Sequence, residues 1–168
     1  YNADGSIATD YNSSLYNILF LQENDVTWNH MLRGMSNSFI EYEIIEDLKF
    51  KSVVAFDFIL GHYKNYSNRI HGDAYQEGGS SFASIDQDFN MVFQNSLDYS
   101  ITFLDNHRVD FKALVEYQKF KSWYLDAYGE GFVTDGLTNV SSTGGNWDAA
   151  SNFSDWANLS YLGMANYN

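Results

Sequence analysis

The sequence predicts an all-β protein built from long antiparallel strands, and the alternation over residues 88–103 is the clearest reason. One row of alternate residues is almost wholly apolar: Phe89, Met91, Phe93, Asn95, Leu97, Tyr99, Ile101 and Phe103. The residues between them, which begin at Asp88, are almost all polar. Successive strand side chains point to opposite faces, whereas this spacing would scatter apolar residues around a helix. The segment therefore predicts one long strand with an apolar face and a polar face.

A second alternating run follows the polar break at residues 104–108. Its apolar row is Val109, Phe111, Ala113, Val115 and Tyr117, and its other row is mostly polar. Two such runs joined by a short polar turn predict a β-hairpin. Soluble strands usually have about five or six residues, whereas a strand that crosses a membrane needs roughly 9–11. The length favours a membrane barrel first and a large soluble β-protein second.

The composition limits the class of protein further. The 168 residues include no cysteine and no proline, which excludes disulfides and thiolate metal sites and suits uninterrupted strand ladders. Aromatic residues make up 18% of the chain, and they favour strands and membrane interfaces. The net charge of −13 argues against a nucleic-acid partner, because phosphate binding needs Lys and Arg.

No apolar run approaches the roughly 20 residues of a membrane helix. The first residues also lack the basic start and apolar core of a signal peptide. Neither observation argues against a barrel, because half the residues of a barrel strand are polar and its hydropathy signal is weak. Near the N-terminus, residues 2–5 predict an Asp-Gly turn rather than a calcium loop, since the position of the bidentate Glu falls on Tyr11.

The remaining strands follow in chain order. After a loop-rich start with a short apolar patch at residues 18–21, we predict a strand from about residue 30 to 45. A tight turn at Glu46 and Asp47 leads into a second strand that ends near Leu60. Long polar segments cover residues 61–79 and 122–155, and the last strand starts near Trp156.

The connections then alternate between long and tight. Because antiparallel strands reverse direction, every tight turn lies at one end of the sheet and every long loop at the other. Outer-membrane barrels have this arrangement, with short periplasmic turns and long extracellular loops. Five strands are too few to close a membrane barrel, since the smallest have about eight. We therefore expect this chain to be part of a larger barrel.

Five short motifs, in their order along the chain, resemble the barrel of SusC/RagA-type TonB-dependent outer-membrane transporters. They are YNADGSI (1–7), EYEII (41–45) leading into LKFKS (48–52), QNSLDY (94–99), GEGFVTD (129–135) and LSYLG (159–163). The resemblance covers nearly the whole chain. Each motif is weak alone, and their shared order and spacing are more specific.

The resemblance implies a bacterial outer-membrane location and a 22-stranded barrel in contact with outer-membrane lipid. Residues 1–168 would be a partial barrel of about five strands that lacks the plug, the TonB box and the other strands. Its implied partners are the remainder of its own barrel and plug, a SusD-like surface lipoprotein, and TonB through an N-terminal region absent from this chain. The implied activity is TonB-energised import of glycan or peptide nutrients, which this segment alone would not perform.

Aromatic residues near the longest loop are the first candidates for contact with substrate or partner. They are Trp123, Tyr124, Tyr128, Trp147 and Trp156. The simpler interpretation is that these residues form the outer aromatic girdle of a barrel. The more specific interpretation is that they stack on a sugar or pack against a lid partner.

Charged residues of the polar rows are predicted to face the barrel lumen. They are Glu41, Glu43, Lys49, Lys51, Asp57, Asp88, Asp98, Asp110, Lys112 and Glu116. Pairing across neighbouring strands would give a hydrated, salt-bridged interior, which we favour over a solute-binding role.

Catalysis and cofactors are not expected. The four histidines, His30, His62, His71 and His107, lack the spacing of a metal pair on one strand face, and solvation in a tight turn is the simpler account of His107. No nucleophile–base constellation or phosphate-binding motif is present in the sequence. The alternative function is a soluble extracellular β-sandwich that binds carbohydrate, in which a second sheet would cover the apolar face.

Overall fold

A computed structural model of the chain describes residues 1–9, 15–104 and 106–168. In these residues, one antiparallel sheet has the strand order β1-β2-β3-β4-β5. The strands are β1 (Val26–Ile45), β2 (Leu48–Ser67), β3 (Ser80–Phe103), β4 (His107–Phe132) and β5 (Thr143–Tyr167). Helix α1 (Ile18–Asn24) precedes the sheet, and a short 3-10 helix (Val140–Ser142) precedes β5. The predicted all-β class is confirmed.

The strands are longer than the sequence predicted. They contain 20, 20, 24, 26 and 25 residues. The predicted end of β2 at Leu60 and the predicted loop over residues 122–155 are wrong, because β2 continues to Ser67, β4 reaches Phe132 and β5 starts at Thr143. The predicted ends followed the alternating apolar rows, but the backbone ladder continues past the ends of those rows, since its hydrogen bonds do not depend on an apolar face.

Local turn chemistry agrees with the predictions that fall on described residues. Asn2 and Gly5 close the N-terminal turn through Gly5 N–H to Asn2 O at 3.0 Å, and Gly5 has a φ of 84°. Asp47 in the first hairpin turn has a φ of 66°, a conformation that Asp tolerates better than most residues. The predicted apolar element at residues 18–21 lies within α1, and Asp105 of the second turn is outside the described residues.

The chain divides into two compact units. The first, here called the loop unit, comprises Tyr1–Leu32, Leu60–Asp86 and Trp123–Asn152. The second, the turn unit, comprises Arg33–Ile59, Gln87–Ser122 and Phe153–Asn168. The connections 68–79 and 133–142 both belong to the loop unit, and the tight turns at 46–47 and 104–106 both belong to the turn unit. The sorting of connections by length, predicted from strand direction, is thus present in the fold.

The two faces of the turn unit differ in polarity. On one face, the Ser100 hydroxyl donates to Asp110 at 2.6 Å, Lys112 Nζ lies 3.0 Å from Asp98, and Gln94 donates to Glu116. On the other, the apolar side chains of β3 and β4 are exposed or half-buried within the described chain. The alternation predicted from the sequence is confirmed. Among the described residues, no helix is long and apolar enough to span a bilayer.

Candidate binding surface on the loop unit

The connection 68–79 is built around the buried side chain of Asn68. Asp25 Oδ1 accepts hydrogen bonds from the backbone N–H of Asn68 at 2.8 Å and from its Nδ2 at 2.6 Å. The Asn68 Oδ1 in turn accepts from the backbone N–H groups of Ile70 and His71, both at 2.9 Å. One side chain thus satisfies several polar groups and fixes the start of the connection.

His71 attaches α1 to this connection. The imidazole is buried, and its Nε2 accepts a hydrogen bond from the Asn17 backbone N–H at 2.8 Å. The rings of Tyr16 and Phe20 meet it edge-on, with centroids 5.2 and 5.6 Å away. Because Nε2 acts as the acceptor, the ring is neutral in this arrangement with its proton on Nδ1. The role of His71 in this structure is therefore architectural.

Two glycine positions bring these segments close together. A Cβ added to Gly72, whose φ is 105°, would lie 2.7 Å from Cδ2 of Leu21 on α1. Gly79, with a φ of 87°, accepts a backbone hydrogen bond from Gly131 at the end of β4 at 3.0 Å. The chain needs glycine at both places because other residues rarely adopt this backbone conformation.

The second connection, residues 133–142, is held to the first connection and to Lys64 of β2 by polar contacts. Arg69 Nε donates to Asp135 Oδ1 at 2.6 Å, and this hydrogen bond raises the pKa of the Arg69 guanidinium. Lys64 Nζ donates to Thr138 Oγ1 and Asn139 Oδ1 at 2.8 and 2.7 Å. In the same unit, the buried rings of Tyr66 and Phe132 meet edge-on with centroids 5.0 Å apart. The loop unit thus has a small core of its own.

The predicted aromatic candidates lie on strands, not in a loop. Trp123, Tyr124 and Tyr128 belong to β4, and Trp147 and Trp156 belong to β5. This corrects the prediction that they flank a loop over residues 122–155. Both strands extend through those residues because their backbones continue to pair.

Tyr124 and Tyr128 form the most organised part of this set. The Tyr124 hydroxyl donates to Asp126 at 2.8 Å and the Tyr128 hydroxyl donates to Glu130 at 2.7 Å. Asn146 Nδ2 also donates to Glu130, at 2.6 Å. Glu130 lies near the end of β4. The hydrogen bond from Tyr128, followed by that from Asn146, lowers the pKa of its carboxyl. This face presents phenol rings beside carboxylates, a surface suited to stacking and hydrogen bonding.

The tryptophans are separated from the tyrosines. Trp147 covers Gly129, where an added Cβ would lie 2.8 Å from Trp147 Cδ1. Trp123 and Gly129 occupy odd-numbered positions of β4, whose side chains point away from the face of Tyr124 and Tyr128. Trp156 belongs to the turn unit and stacks on Phe120 at 5.7 Å. The five candidates therefore do not form one cluster within either unit.

The charged residues predicted to face a lumen are partly paired. Arg33 donates to both carboxylate oxygens of Asp57, at 2.9 and 2.7 Å, and Lys51 Nζ lies 3.9 Å from Glu41. Asp98, Asp110, Lys112 and Glu116 form the contacts described above for the polar face of the turn unit. Glu43, Lys49 and Asp88 form no ion pair within the described chain. The lumen assignment itself stays a prediction.

Sequence reasoning missed two features. His107 is not a solvated turn residue: it begins β4, stacks between Phe103 and Tyr167 at 5.5 and 5.8 Å, and hydrogen-bonds the Tyr167 hydroxyl.

The loop unit also exposes apolar side chains on its connections and on α1. They are Ile18, Ile70, Tyr75, Val133 and Leu137. The sequence contained a signal for this feature, because these apolar residues interrupt segments that were predicted to be loops.

Solved structures share this fold. No protein-family model matches the sequence, and no curated protein matches it. The chain matches a chain in the structure of the RagAB peptide transporter at 16% identity and a TM-score of 0.82, over 98% of this chain. Structures of the RagAB peptide importer in the open-open and closed-closed states match at 19% and 18% identity, with TM-scores of 0.82 and 0.81, over 99% and 98% of this chain.

The match covers 19% of each of those longer chains. At this level of identity the likeness shows the fold. The predicted resemblance to a RagA-type transporter barrel is confirmed at that level, and this chain spans about a fifth of the length of the proteins it matches.

Proposed function

We propose that this chain is a segment of a bacterial outer-membrane transporter that imports peptide or glycan nutrients without chemical conversion. TonB supplies the energy through the plug of the same protein, and a SusD-like surface lipoprotein is the partner. The likeness of the fold to the RagAB transporter supports this proposal.

The observation that carries the membrane part of the proposal is the extent of the apolar face of the turn unit. At its turn end lie the stacked rings of Phe103, His107 and Tyr167. At its other end Lys119 pairs with Asp155 at 3.8 Å. Lys119 lies twelve positions after His107, and Tyr167 lies twelve positions after Asp155.

That separation fits a bilayer. Twelve residues span about 40 Å along a strand, which becomes about 28 Å across a membrane for a strand tilted by roughly 45°. The apolar band of a membrane barrel is about 25 Å tall, and aromatic girdles flank it. No charged residue occurs between these limits in the odd-numbered row of either β4 or β5.

Recognition then belongs to the loop unit. In a barrel of this type the long connections face the outside and the tight turns face the periplasm. Import from the medium requires contact on the outer side, where loops held by a rigid scaffold carry binding residues. We place substrate contacts at Tyr124 and Tyr128 and lipoprotein contacts at the exposed apolar side chains of the connections. Trp123 and Trp147 belong to the aromatic girdle, whereas Trp156, stacked on Phe120, faces the lumen.

Cysteine labelling on intact cells tests this topology. Gln76→Cys and Thr134→Cys place an exposed thiol on each long connection, and Asn106→Cys places one in a tight turn of the full-length protein. An impermeant maleimide should label the first two and leave the third unlabelled until the outer membrane is permeabilised. Labelling of Asn106→Cys alone would invert the topology, and a detergent-free soluble protein would favour the carbohydrate-binding sandwich.

A further inference from the structure

Two lysines interrupt the apolar row of β4, which resumes at Trp123 and Leu125. Side chains at odd-numbered positions of this strand share one face, and that row runs through uncharged residues from Val109 to Tyr117 before it reaches Lys119 and Lys121. The opposite face is identified by Gln118, which donates to Asn90 at 3.2 Å, and by Phe120, which stacks on Trp156. The lysines therefore lie on the apolar side of the sheet, between the uncharged stretch that ends at Tyr117 and the aromatic Trp123.

Their charge is incompletely neutralised. Lys119 Nζ lies 3.8 Å from Asp155 Oδ2, which is beyond hydrogen-bonding distance, and both side chains are about one third exposed, at 32% and 34%. Lys121 is exposed and forms no ion pair or hydrogen bond within the described chain. Two cations beside one carboxylate leave a net positive charge, in a chain whose overall charge is −13.

The opposite border of the same face has a different chemistry. Phe103, His107 and Tyr167 stack there, and neither Lys nor Arg occurs in the apolar row at that end of β4 or β5. Stacked rings suit the general boundary of a bilayer, whereas a lysine with its stem along an apolar surface reaches an anionic headgroup. The asymmetry indicates that one leaflet presents an anion and the other does not.

We propose that Lys119 and Lys121 form a binding site for the phosphate of a phosphorylated lipid headgroup, in the leaflet on the side of the long connections. This inference rests on the proposed membrane location. The lysine stems lie against acyl chains, the two ammonium groups bind one phosphate, and Asp155 keeps Lys119 directed along the sheet. Lysine is a common phosphate ligand that acts as a compact point charge.

Lipid retention by the purified full-length barrel tests the proposal. Native mass spectrometry compares a bis-phosphorylated lipid A with the same lipid after enzymatic dephosphorylation. The variant is Lys119→Gln/Lys121→Gln. Its matched control is Lys49→Gln/Lys51→Gln, because those lysines have the same i, i+2 spacing on β2 and Lys51 has a similar loose carboxylate partner, Glu41, at 3.9 Å.

The expected result is preferential retention of the phosphorylated lipid by the parent and the control variant. Each lysine near a charged lipid surface contributes about 1 kcal/mol, so the double variant should bind that lipid roughly thirtyfold more weakly. Heat-modifiable migration on gels verifies that each variant is folded.

Several outcomes would overturn the proposal. Equal loss in the control variant would reveal a general charge effect, and full competition by millimolar inorganic phosphate would reveal an anion site without lipid specificity. Equal retention of both lipids by an inserted parent barrel defeats this inference while leaving the proposed function intact. A parent protein that binds no lipid and needs no detergent defeats both.

Discussion

The loop unit buries apolar side chains in a small core, whereas the turn unit leaves apolar side chains exposed. The loop unit buries Tyr66 and Phe132 against each other, and of the buried residues in the described chain only Ser96 lies outside it. The turn unit leaves Phe93, Leu97 and Phe111 exposed. One unit has a core, whereas the other exposes apolar side chains on one face, and extended apolar surfaces of this kind mark contacts with protein or membrane.

This contrast predicts that core truncation matters most in the loop unit. Phe132→Ala removes one ring of the buried pair and leaves a cavity, so we expect a loss of about 3–5 kcal/mol in the free energy of local opening. Hydrogen exchange of the amides in connection 68–79, measured in the full-length barrel, reports it. Val133→Ala, at an 81% exposed neighbour, should change exchange by less than about 0.5 kcal/mol. Similar losses for both variants would contradict a core in this unit.

Charge insertion should discriminate between the faces of the turn unit. Phe93→Arg places a cation in the apolar row and should cost about 2–4 kcal/mol if it lies at the bilayer midplane. Gln94→Arg places the same charge beside Glu116 and should be far milder. Denaturant titration of the full-length barrel in lipid vesicles measures both values. Comparable costs would refute the assignment of apolar and polar faces to membrane and water.

Backbone geometry gives a smaller effect in the loop unit. Gly72→Ala combines a φ of 105° with a contact of 2.7 Å to Leu21, so we expect a loss of about 1–3 kcal/mol together with release of α1. Gly136→Ala has a similar φ of 82° but nothing within 4 Å of the added Cβ. Proteolysis near α1 should increase in the first variant and not in the second, and an equal response would assign the effect to φ alone.

The smallest effect is expected at the polar face of the turn unit. Arg33 and Asp57 form a two-pronged ion pair whose side chains are 50% and 30% exposed. Exposed pairs contribute about 0.2–1 kcal/mol, and salt screens them. A double-mutant cycle of Arg33→Gln and Asp57→Asn, measured at low and high salt, should yield a coupling within that range that falls with salt. A salt-independent coupling above it would indicate a dry interior rather than a hydrated one.

The ends of some strands and the contacts between distant residues could not be predicted from the sequence. The alternating rows identified β3, the first half of β4 and both tight turns. They ended β2 at Leu60 and β4 before Ser122, because a polar segment and a segment containing five glycines follow there, although backbone hydrogen bonding continues. The roles of Asn68 and His71 had no local signal, since their partners Asp25 and Asn17 lie 43 and 54 residues away.

The sequence by itself determined the two-faced strands, because side-chain alternation is a property of extended backbone at every position. It also determined the order of tight and long connections, which follows from turn chemistry and strand direction. Only the tertiary structure decided which side chains meet. It placed Trp147 over Gly129, separated the tryptophans from Tyr124 and Tyr128, and turned His71 into the attachment point of α1. Those contacts depend on the register between distant segments, and no periodicity within one segment specifies that register.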